Sequence, residues 1–303
     1  MVAYYREEKS SPKIRGGRLV RLGVHVSIRG GLEKAVVRAK ELGCTALQIF
    51  SRNPRGWQAA PLNTQGIINF GYLIAKEDIE PIIIHTPYLL NLASANEQIY
   101  KKSIAALTLD LHRARLLGAN YVVTHIGSSK GQGAEIGLER VIQALKIALD
   151  PKSAVRLLLE NGAGGGDEIG SSFEQIKLIM EEVKAGPRLG VCFDSCHAFV
   201  AGYDFRSKEK TNALAKEIER TIGLERISLL HINDAAGDLG SHLDRHEHIG
   251  KGKIGIRGFH NLLAHPSFRG IPIILETPKR DPQDDKRNLK KVREVLVSIY
   301  GKV

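Results

Sequence analysis

Cysteine is scarce in this sequence, and long apolar runs are missing from it. The 303 residues include three cysteines, Cys44, Cys192 and Cys196, and so small and odd a number excludes a disulfide framework. No run of about 18 apolar residues occurs, which argues against a transmembrane helix. The first residues also lack the apolar middle region of a secretory signal. We therefore expect a protein of a reducing compartment, the cytoplasm, with no membrane partner.

Negative charge is also in short supply. Lysine and arginine outnumber aspartate and glutamate by 44 to 33, giving a net charge of +11. Such a surplus favours polyanionic partners over small neutral substrates. Residues 1–18 are interpreted as a flexible basic tail, residues 19–303 as one domain, and the protein as a monomer.

Short apolar runs alternate with segments of helical periodicity. Runs such as PIIIH and RLLLE lack polar alternation, as strands buried on both faces do. The predicted strands span 20–26, 46–50, 81–85, 121–126, 155–160, 189–194, 227–231 and 271–276. The predicted helices span 32–42, 64–76, 97–117, 136–149, 172–182, 208–222, 257–264 and 286–299. Eight similar β-then-α units favour a closed (β/α)₈ TIM barrel with parallel strands over an open doubly wound sheet or two domains.

Six of these strands end in an imidazole or a carboxylate. The strand-end residues are His85, His125, Glu160, Asp194, His231 and Glu276. In a barrel the C-terminal strand ends converge on one mouth, where the active site lies. Burying so many ionisable groups together is costly unless a cation compensates them. Imidazole and carboxylate together form the ligand set of Zn²⁺, Mn²⁺ or Fe²⁺.

Further candidate ligands follow the strands. His197 comes three residues after Asp194, and the segment SHLDRHEHIG places Asp244 and His246 at alternate positions. His242 and His248 share that alternation, so spacing alone does not choose among the three histidines. Nine ligands, at roughly three to four per ion, indicate two or three ions. Clustered ions suit phosphodiester hydrolysis, because both the attacking and the leaving oxygen need charge stabilisation.

Other features have weaker interpretations. The glycine-rich run at 162–170 lacks the ending of a Walker loop and is interpreted as a flexible loop at the mouth. Cys192 and Cys196 are interpreted as packing residues. His25, at the end of the first strand, is either a support for the ligands or uninvolved. No nucleophile elbow occurs at a strand-to-helix turn, so acyl-enzyme chemistry is not supported.

Two loops are candidates for nucleic-acid contact. FSRNPRGW carries Arg52, Arg55 and Trp57, and TPYLLN carries Tyr88 and Leu89, followed by Leu90. Basic, aromatic and apolar side chains at a barrel mouth can wedge into a base stack or hold an unstacked nucleotide. The alternative is that Trp57 and Leu90 plug the top of the barrel.

Several long motifs resemble endonuclease IV, the zinc-dependent apurinic/apyrimidinic endonucleases of base-excision repair. The similarity extends from about residue 19 to the last helix. The segments that carry it are GVHVSIRGGL, LLENGAGGG, VCFDSCHAFVAGYDFR, HINDAAGDLGSHLDRHEHIGKGKIG and IILETP.

The resemblance implies three Zn²⁺ ions at the mouth, with Mn²⁺ as an alternative at some sites. It assigns His85 and His125 to the first ion, with Glu160 bridging to a second ion held also by Asp194, His231 and Glu276. The third ion falls to His197, Asp244 and His246, which leaves out His242 and His248. It further implies that Arg55 and Tyr88 enter the minor groove and that Glu160 is catalytic. The implied substrate is double-stranded DNA with abasic sites or blocked 3′ ends, and with it we expect association with the nucleoid.

Two other functions compete with this one. A metal-dependent sugar isomerase or epimerase uses a similar barrel, but needs one or two ions and a pocket for a small sugar. A damage-binding protein with structural metals would hold the ions and cleave nothing.

Overall fold

The computed structural model describes residues 20–301, and the predicted tail at 1–18 lies outside them. Within the described residues eight parallel strands form one sheet in a nearly closed barrel. They are β1 Leu22–Val24, β2 Leu47–Phe50, β3 Ile82–His85, β4 Tyr121–His125, β5 Arg156–Glu160, β6 Leu189–Asp194, β7 Ile227–His231 and β10 Ile273–Leu275. The predicted TIM-barrel fold is confirmed.

Helices separate the strands and cover the outside of the barrel. They are α1 Leu32–Glu41, α2 Thr64–Lys76, α3 Glu97–Leu116, α4 Ala134–Ala148, α5 Phe173–Val183, α6 Ser195–Val200, α7 Lys208–Thr221, α8 Gly255–Ala264 and α9 Asp284–Tyr300. Polar caps set several of their starts: the side chain of Asn96, for example, accepts hydrogen bonds from the first turn of α3. Between residues 20 and 301, none of the helices has both the length and the apolarity needed to cross a bilayer.

The sheet closes where β1 meets β2. Along the sheet the strands run in the order β1, β10, β7, β6, β5, β4, β3, β2. The two ends join through a bridge between His25 and Gln48 and a 2.9 Å hydrogen bond from the Val26 amide to the Gln48 carbonyl. Gly23 permits this approach, because a Cβ at that position would collide with the carbonyl of Ala46.

Most predicted boundaries agree with the structure to within two residues, but one short helix and one two-stranded hairpin were missed. The first strand and the last strand are shorter than predicted, because ladder pairing of β1 with β10 covers only three residues of each strand. The missed helix α6 directly follows β6. The missed hairpin pairs β8 Asp234–Ala235 with β9 His246–Glu247 in antiparallel fashion. Both lie at the C-terminal end of the barrel, where the chain turns tightly.

The hydrophobic core has two parts, separated by the sheet. One lies between the strands and the helices and includes most of the buried apolar residues. The other fills the barrel interior with one side chain from each of seven strands or strand entries: Ala46, Ile83, Val123, Leu158, Cys192, Leu229 and Ile274. This inner layer forms an apolar floor inside the barrel. The C-terminal end of the barrel, beyond this layer, is hereafter called the mouth.

A buried ion-pair network attaches the loop after β2 to helix α3. The guanidinium of Arg52 donates to both oxygens of Asp110 at 3.1 Å, and the hydroxyl of Ser51 donates to the same carboxylate at 2.6 Å. Arg113 donates to the carbonyl oxygens of Ser51 and Ala60. Burial raises the pKa of Asp110 even though Arg52 and Ser51 oppose this effect, so the carboxylate depends on its partners to stay charged.

Replacing Asp110 tests this network. Because the side chains of Asp110 and Arg52 are 0% and 1% exposed, Asp110→Ala leaves a buried arginine without its counter-charge, which typically costs about 3–5 kcal/mol. We expect a matching fall in the free energy of unfolding, measured by urea denaturation followed by circular dichroism.

The matched control is Glu294→Ala, which removes an ion pair with Lys291 of similar length, 2.9 Å, between half-exposed side chains. Exposed pairs contribute little, so its unfolding midpoint should stay at the wild-type value. Equal losses in the two variants would contradict a structural role for the buried pair.

Candidate metal centre

The side chains at the mouth continue the inward-facing pattern of the barrel interior. Side chains alternate between the two faces of a strand, so the residue two positions after each member of the inner layer also points inward. These residues are Gln48, His85, His125, Glu160, Asp194, His231 and Glu276. The six strand-end residues singled out from the sequence therefore lie above one apolar floor.

Glu160 lies at the centre of this group. One of its oxygens, Oε2, is 3.2 Å from Nε2 of His85 and 3.6 Å from Nε2 of His125. The other, Oε1, is 2.9 Å from Nδ1 of His231, and the same nitrogen is 3.3 Å from Oε2 of Glu276. The two oxygens of one carboxylate thus face two separate sets of donors.

A third set of donors lies beside Asp194. His197 belongs to α6, where the Asp194 side chain caps the helix by accepting from the His197 amide at 2.8 Å. Nε2 of His197 is 3.1 Å from Oδ1 of Asp244, and Nε2 of His246 is 3.8 Å from the same oxygen. The loop that carries Asp244 is held against α6 by amide-to-carbonyl bonds from Gly240 to Phe199 and from His242 to Val200.

Hydrogen bonds at the back of the imidazoles orient them towards the centre. Nδ1 of His85, His197 and His246 lies 2.7, 3.0 and 3.0 Å from a backbone carbonyl. A carbonyl only accepts, so these nitrogens carry the protons and the Nε2 atoms point at the carboxylates. Such outer partners fix the tautomer and the ring orientation of metal-binding histidines.

The charges of the cluster shift the pKa values of its members strongly. Burial alone raises the pKa of Glu160, but His125 and His231 hold it well below its usual range. Burial likewise lowers the pKa of His197, but Asp194 and Asp244 raise it well above its usual value. The side chain of Asp244 is half-exposed, and His197 outweighs its partial desolvation, so its pKa falls to about 2. The buried charges of Glu160 and His197 are tolerated only because opposite charges surround them.

The donor set fits divalent cations. Potential ligand atoms lie within 4.8 Å of one another in five groups, three of which contain only imidazoles and carboxylates: His85, His125 and Glu160; Glu160, Asp194, His231 and Glu276; and Asp194, His197 and His246. Asp244 and His246 form a further group with Cys196. Nε2 of His246 is buried and, among the described residues, has no hydrogen-bond partner. A buried polar atom of this kind is rare in native proteins unless water or an ion completes it.

The structure also separates the candidates that the sequence left open. His242 and His248 belong to none of the groups of potential ligand atoms found among residues 20–301. Nδ1 of His242 lies instead 2.9 Å from the carbonyl of Ala163, and His248 contacts the side chain of Asn288. His25 lies next to the cluster, with Nδ1 3.3 Å from Glu276 Oε1. The thiols of Cys192 and Cys196 are buried and close enough to count as possible ligands. Burial raises the pKa of the Cys192 thiol to about 12, which disfavours the thiolate that metals bind.

The proposed DNA-contacting residues do not share one environment. Tyr88 is 67% exposed, and its ring centroid lies 5.9 Å from that of His85 and 6.0 Å from that of His125. Arg55 and Leu89 are exposed as well. Trp57 is partly buried against the core.

Two side chains of these loops are buried. Arg52 is committed to Asp110, so the expectation that it faces a ligand was wrong: its guanidinium is satisfied inside the protein. Leu90 is 6% exposed and fits the alternative that it plugs the barrel.

Three supporting residues were missed by the sequence analysis. Gln48 is buried between His231 and Glu276. Asn233 donates to Oδ2 of Asp194 at 2.6 Å and accepts from the Glu276 amide, while Asn161 bonds the backbone of Asp194 in both directions. The sequence did contain a signal for Gln48: it is a polar residue in an otherwise apolar strand, and it lies two positions after Ala46, a residue that faces inward.

Comparisons with known proteins identify the family of this chain. A family model described as "Xylose isomerase-like TIM barrel" matches residues 36–299. A probable endonuclease 4 of Methanoculleus marisnigri is 46% identical over 279 residues, covering 91% of this chain and 99% of that protein. The crystal structure of endonuclease IV from Thermus thermophilus superposes with a TM-score of 0.80 at 38% identity, covering 92% of this chain and 99% of the other.

A sugar-enzyme structure shares only the architecture. A D-tagatose 3-epimerase-like protein superposes with a TM-score of 0.69 at 21% identity, covering 93% of this chain and 98% of the other, and this likeness concerns the fold alone. The similarity to the endonuclease 4 of Methanoculleus marisnigri instead extends over nearly its whole length at more than twice that identity. The chain therefore belongs to the endonuclease IV family and is a nuclease.

Proposed function

We propose that this protein cleaves double-stranded DNA on the 5′ side of abasic sites, leaving a 3′-hydroxyl and a 5′-deoxyribose phosphate. The observation that carries the proposal is the convergence of nine imidazole and carboxylate side chains at the mouth of one barrel. A pocket for a small sugar needs fewer ligands and gains nothing from a net charge of +11. Trimming of blocked 3′ ends belongs to the same proposal, because it is hydrolysis of the same bond type at a DNA end.

In this proposal the mouth would bind three Zn²⁺ ions, with Mn²⁺ as an alternative at some sites. His85 and His125 would hold the first ion, and Glu160, Asp194, His231 and Glu276 would hold the second. His197, Asp244 and His246 would hold the third. When bound, the ions supply Lewis acidity that lowers the pKa of water and neutralises the charge of the phosphate oxygens.

The protein's own residues supply position and charge. Glu160, buried between the donor sets, orients the attacking water towards the phosphorus on the 5′ side of the lesion. As the oxygen of this water bonds to phosphorus, the bond from phosphorus to the 3′ oxygen breaks. The water releases one proton to solvent, and the 3′ oxygen takes one up from solvent to become a hydroxyl. The surrounding imidazoles hold the pKa of Glu160 low and keep it ionised, so its carboxylate is available as an acceptor for the water. The apolar inner layer below it excludes bulk water from one side.

Selectivity for abasic sites comes from the energy of extrusion. A nucleotide without a base has lost its stacking and pairing, so moving it out of the duplex costs less than moving an intact one. Exposed Tyr88 and Leu89 lie just after the third strand and are suited to fill the gap, while Arg55 and Trp57 approach from the neighbouring loop. The protein acts as a monomer on this view, because one chain carries the whole cluster.

The first test is the variant Glu160→Gln, assayed on a duplex with a single abasic site. Losing the central charge should reduce nicking by at least about a thousandfold, the scale seen when a group that stabilises transition-state charge is removed. Binding of the same duplex, measured by fluorescence anisotropy, should stay within about threefold of wild type, since the loops that contact DNA are unchanged.

Glu168→Gln is the matched control. Glu168 lies on the glycine-rich loop and accepts from the Gly164 amide at 2.8 Å, a bond that a glutamine oxygen can also accept. Its nicking rate should equal that of wild type. Full activity in Glu160→Gln, or aldose–ketose conversion by a wild-type protein that does not nick DNA, would reject the proposal.

The second test concerns the DNA-contacting loops. If Arg55 binds a phosphate, Arg55→Ala should weaken binding and make the slope of log affinity against log salt shallower by about 0.9. Arg220→Ala, which removes an exposed arginine on α7 paired with Glu174 at 3.2 Å, is the control and should leave the slope unchanged. A wild-type affinity that does not fall with ionic strength would contradict the role of phosphate contacts.

A further inference from the structure

We infer that Gln48 is a positioning residue that decides which nitrogen of His231 and which oxygen of Glu276 are presented to a bound cation. The inference rests on the metal centre of the proposed function. Gln48 is fully buried and lies on β2, a strand that contributes none of the nine proposed ligands. Its amide contacts two of them, His231 and Glu276, and also His25.

The carboxylate of Glu276 fixes the orientation of the Gln48 amide. Nε2 of Gln48 is 2.6 Å from Oε1 of Glu276, and an ionised carboxylate only accepts hydrogen bonds. The nitrogen of the amide therefore faces Glu276, and its second hydrogen is directed at Nδ1 of His25, 3.0 Å away. This leaves the amide oxygen on the opposite side, facing His231.

The amide oxygen in turn fixes the tautomer of His231. Oε1 of Gln48 is 2.9 Å from Nε2 of His231, and because an amide oxygen only accepts, Nε2 carries a proton. In the neutral ring Nδ1 then holds a lone pair. That nitrogen is 2.9 Å from Oε1 of Glu160 and 3.3 Å from Oε2 of Glu276. Lone pairs from three groups thus converge on one point, an arrangement that a cation stabilises.

The other anchored imidazoles of the cluster use the backbone for this purpose. His85, His197 and His246 are each held through Nδ1 by a main-chain carbonyl and present Nε2. His231 presents the opposite nitrogen, and its anchor is a side chain. Because a side chain can be replaced without altering the chain path, the tautomer of His231 can be tested by mutation.

The variant Gln48→Met keeps the approximate volume of the side chain but removes both its donor and its acceptor. We expect the zinc-loaded variant to release one Zn²⁺ per chain to a competing chelator about 10- to 100-fold more readily than wild type, the usual cost of losing an outer partner. The remaining Zn²⁺ should be held as in wild type. Metal content is measured by mass spectrometry after dialysis against graded chelator.

A second readout follows the proton directly. In zinc-loaded, ¹⁵N-histidine-labelled wild type, the His231 signal, identified by its loss in His231→Gln, should show protonated Nε2 and metal-bound Nδ1. Gln48→Met should lose this pattern. Gln48→Glu keeps an acceptor for His231 but places a second carboxylate against Glu276, so it should keep the tautomer and still weaken zinc binding. It also keeps the inference testable if Gln48→Met does not fold.

Gln175→Met is the matched control, because Gln175 accepts a 2.7 Å bond from the Gly170 amide and is not a hydrogen-bond partner of the nine residues. It should retain zinc as wild type does. Wild-type zinc retention and tautomer in Gln48→Met, or equal zinc loss in Gln175→Met, would overturn the inference. A wild-type protein that binds zinc and fails to nick abasic DNA would reject the proposed function while leaving this comparison intact.

Discussion

Electrical balance inside one enclosed space is the constraint on which the rest of this structure depends. Four carboxylates and five imidazoles meet above an apolar floor, and several of them are completely buried. Isolated charges in such a place cost many kcal/mol, so each is tolerated only beside its opposite. Protons on the imidazoles and cations between them are alternative ways to balance the same negative charge. Cation binding is therefore expected to release protons, and the cluster is stable only as a whole.

The barrel holds this balance in place through simple geometry. Register pairs His125 with Glu160 on adjacent strands and Asp194 with His231 on another pair. The hydrogen-bonded ladders fix the backbone, so the register alone places residues of opposite charge side by side, whatever rotamers their side chains adopt. The hydrogen bonds at the back of the imidazoles then determine which ring nitrogen faces the centre of the cluster. The remaining proposed ligands come from elements after the strands: α6, β9 and the loop before β9. The Asp194 cap and the hydrogen bonds around Gly240 attach these elements to the barrel.

Much of this was predictable from the sequence, and the exceptions have physical reasons. Chemistry repeated at the strand ends predicted the mouth residues, because parallel strands of one barrel share an edge. Gln48 was missed since a single amide in an apolar run carries no such repetition, although its position two residues after Ala46 placed it inward. Arg52 was misjudged because its neighbours in sequence are loop residues, while its partner Asp110 is 58 positions away. Neither alternation nor spacing could separate His246 from His242 and His248, because the partners that remove the latter two come from distant segments.

The inward spacing of two residues has a consequence for how such a protein can change. Inserting one residue within β5, before Leu159, would turn Glu160 towards the helices and bring Leu159 into the mouth in its place. The alternation of inward-facing and outward-facing side chains is thus fixed along each strand of the barrel, whereas the connecting loops have no such constraint. Differences in length among natural or engineered versions should therefore accumulate in the segments between strands, while the number of residues in each strand stays the same.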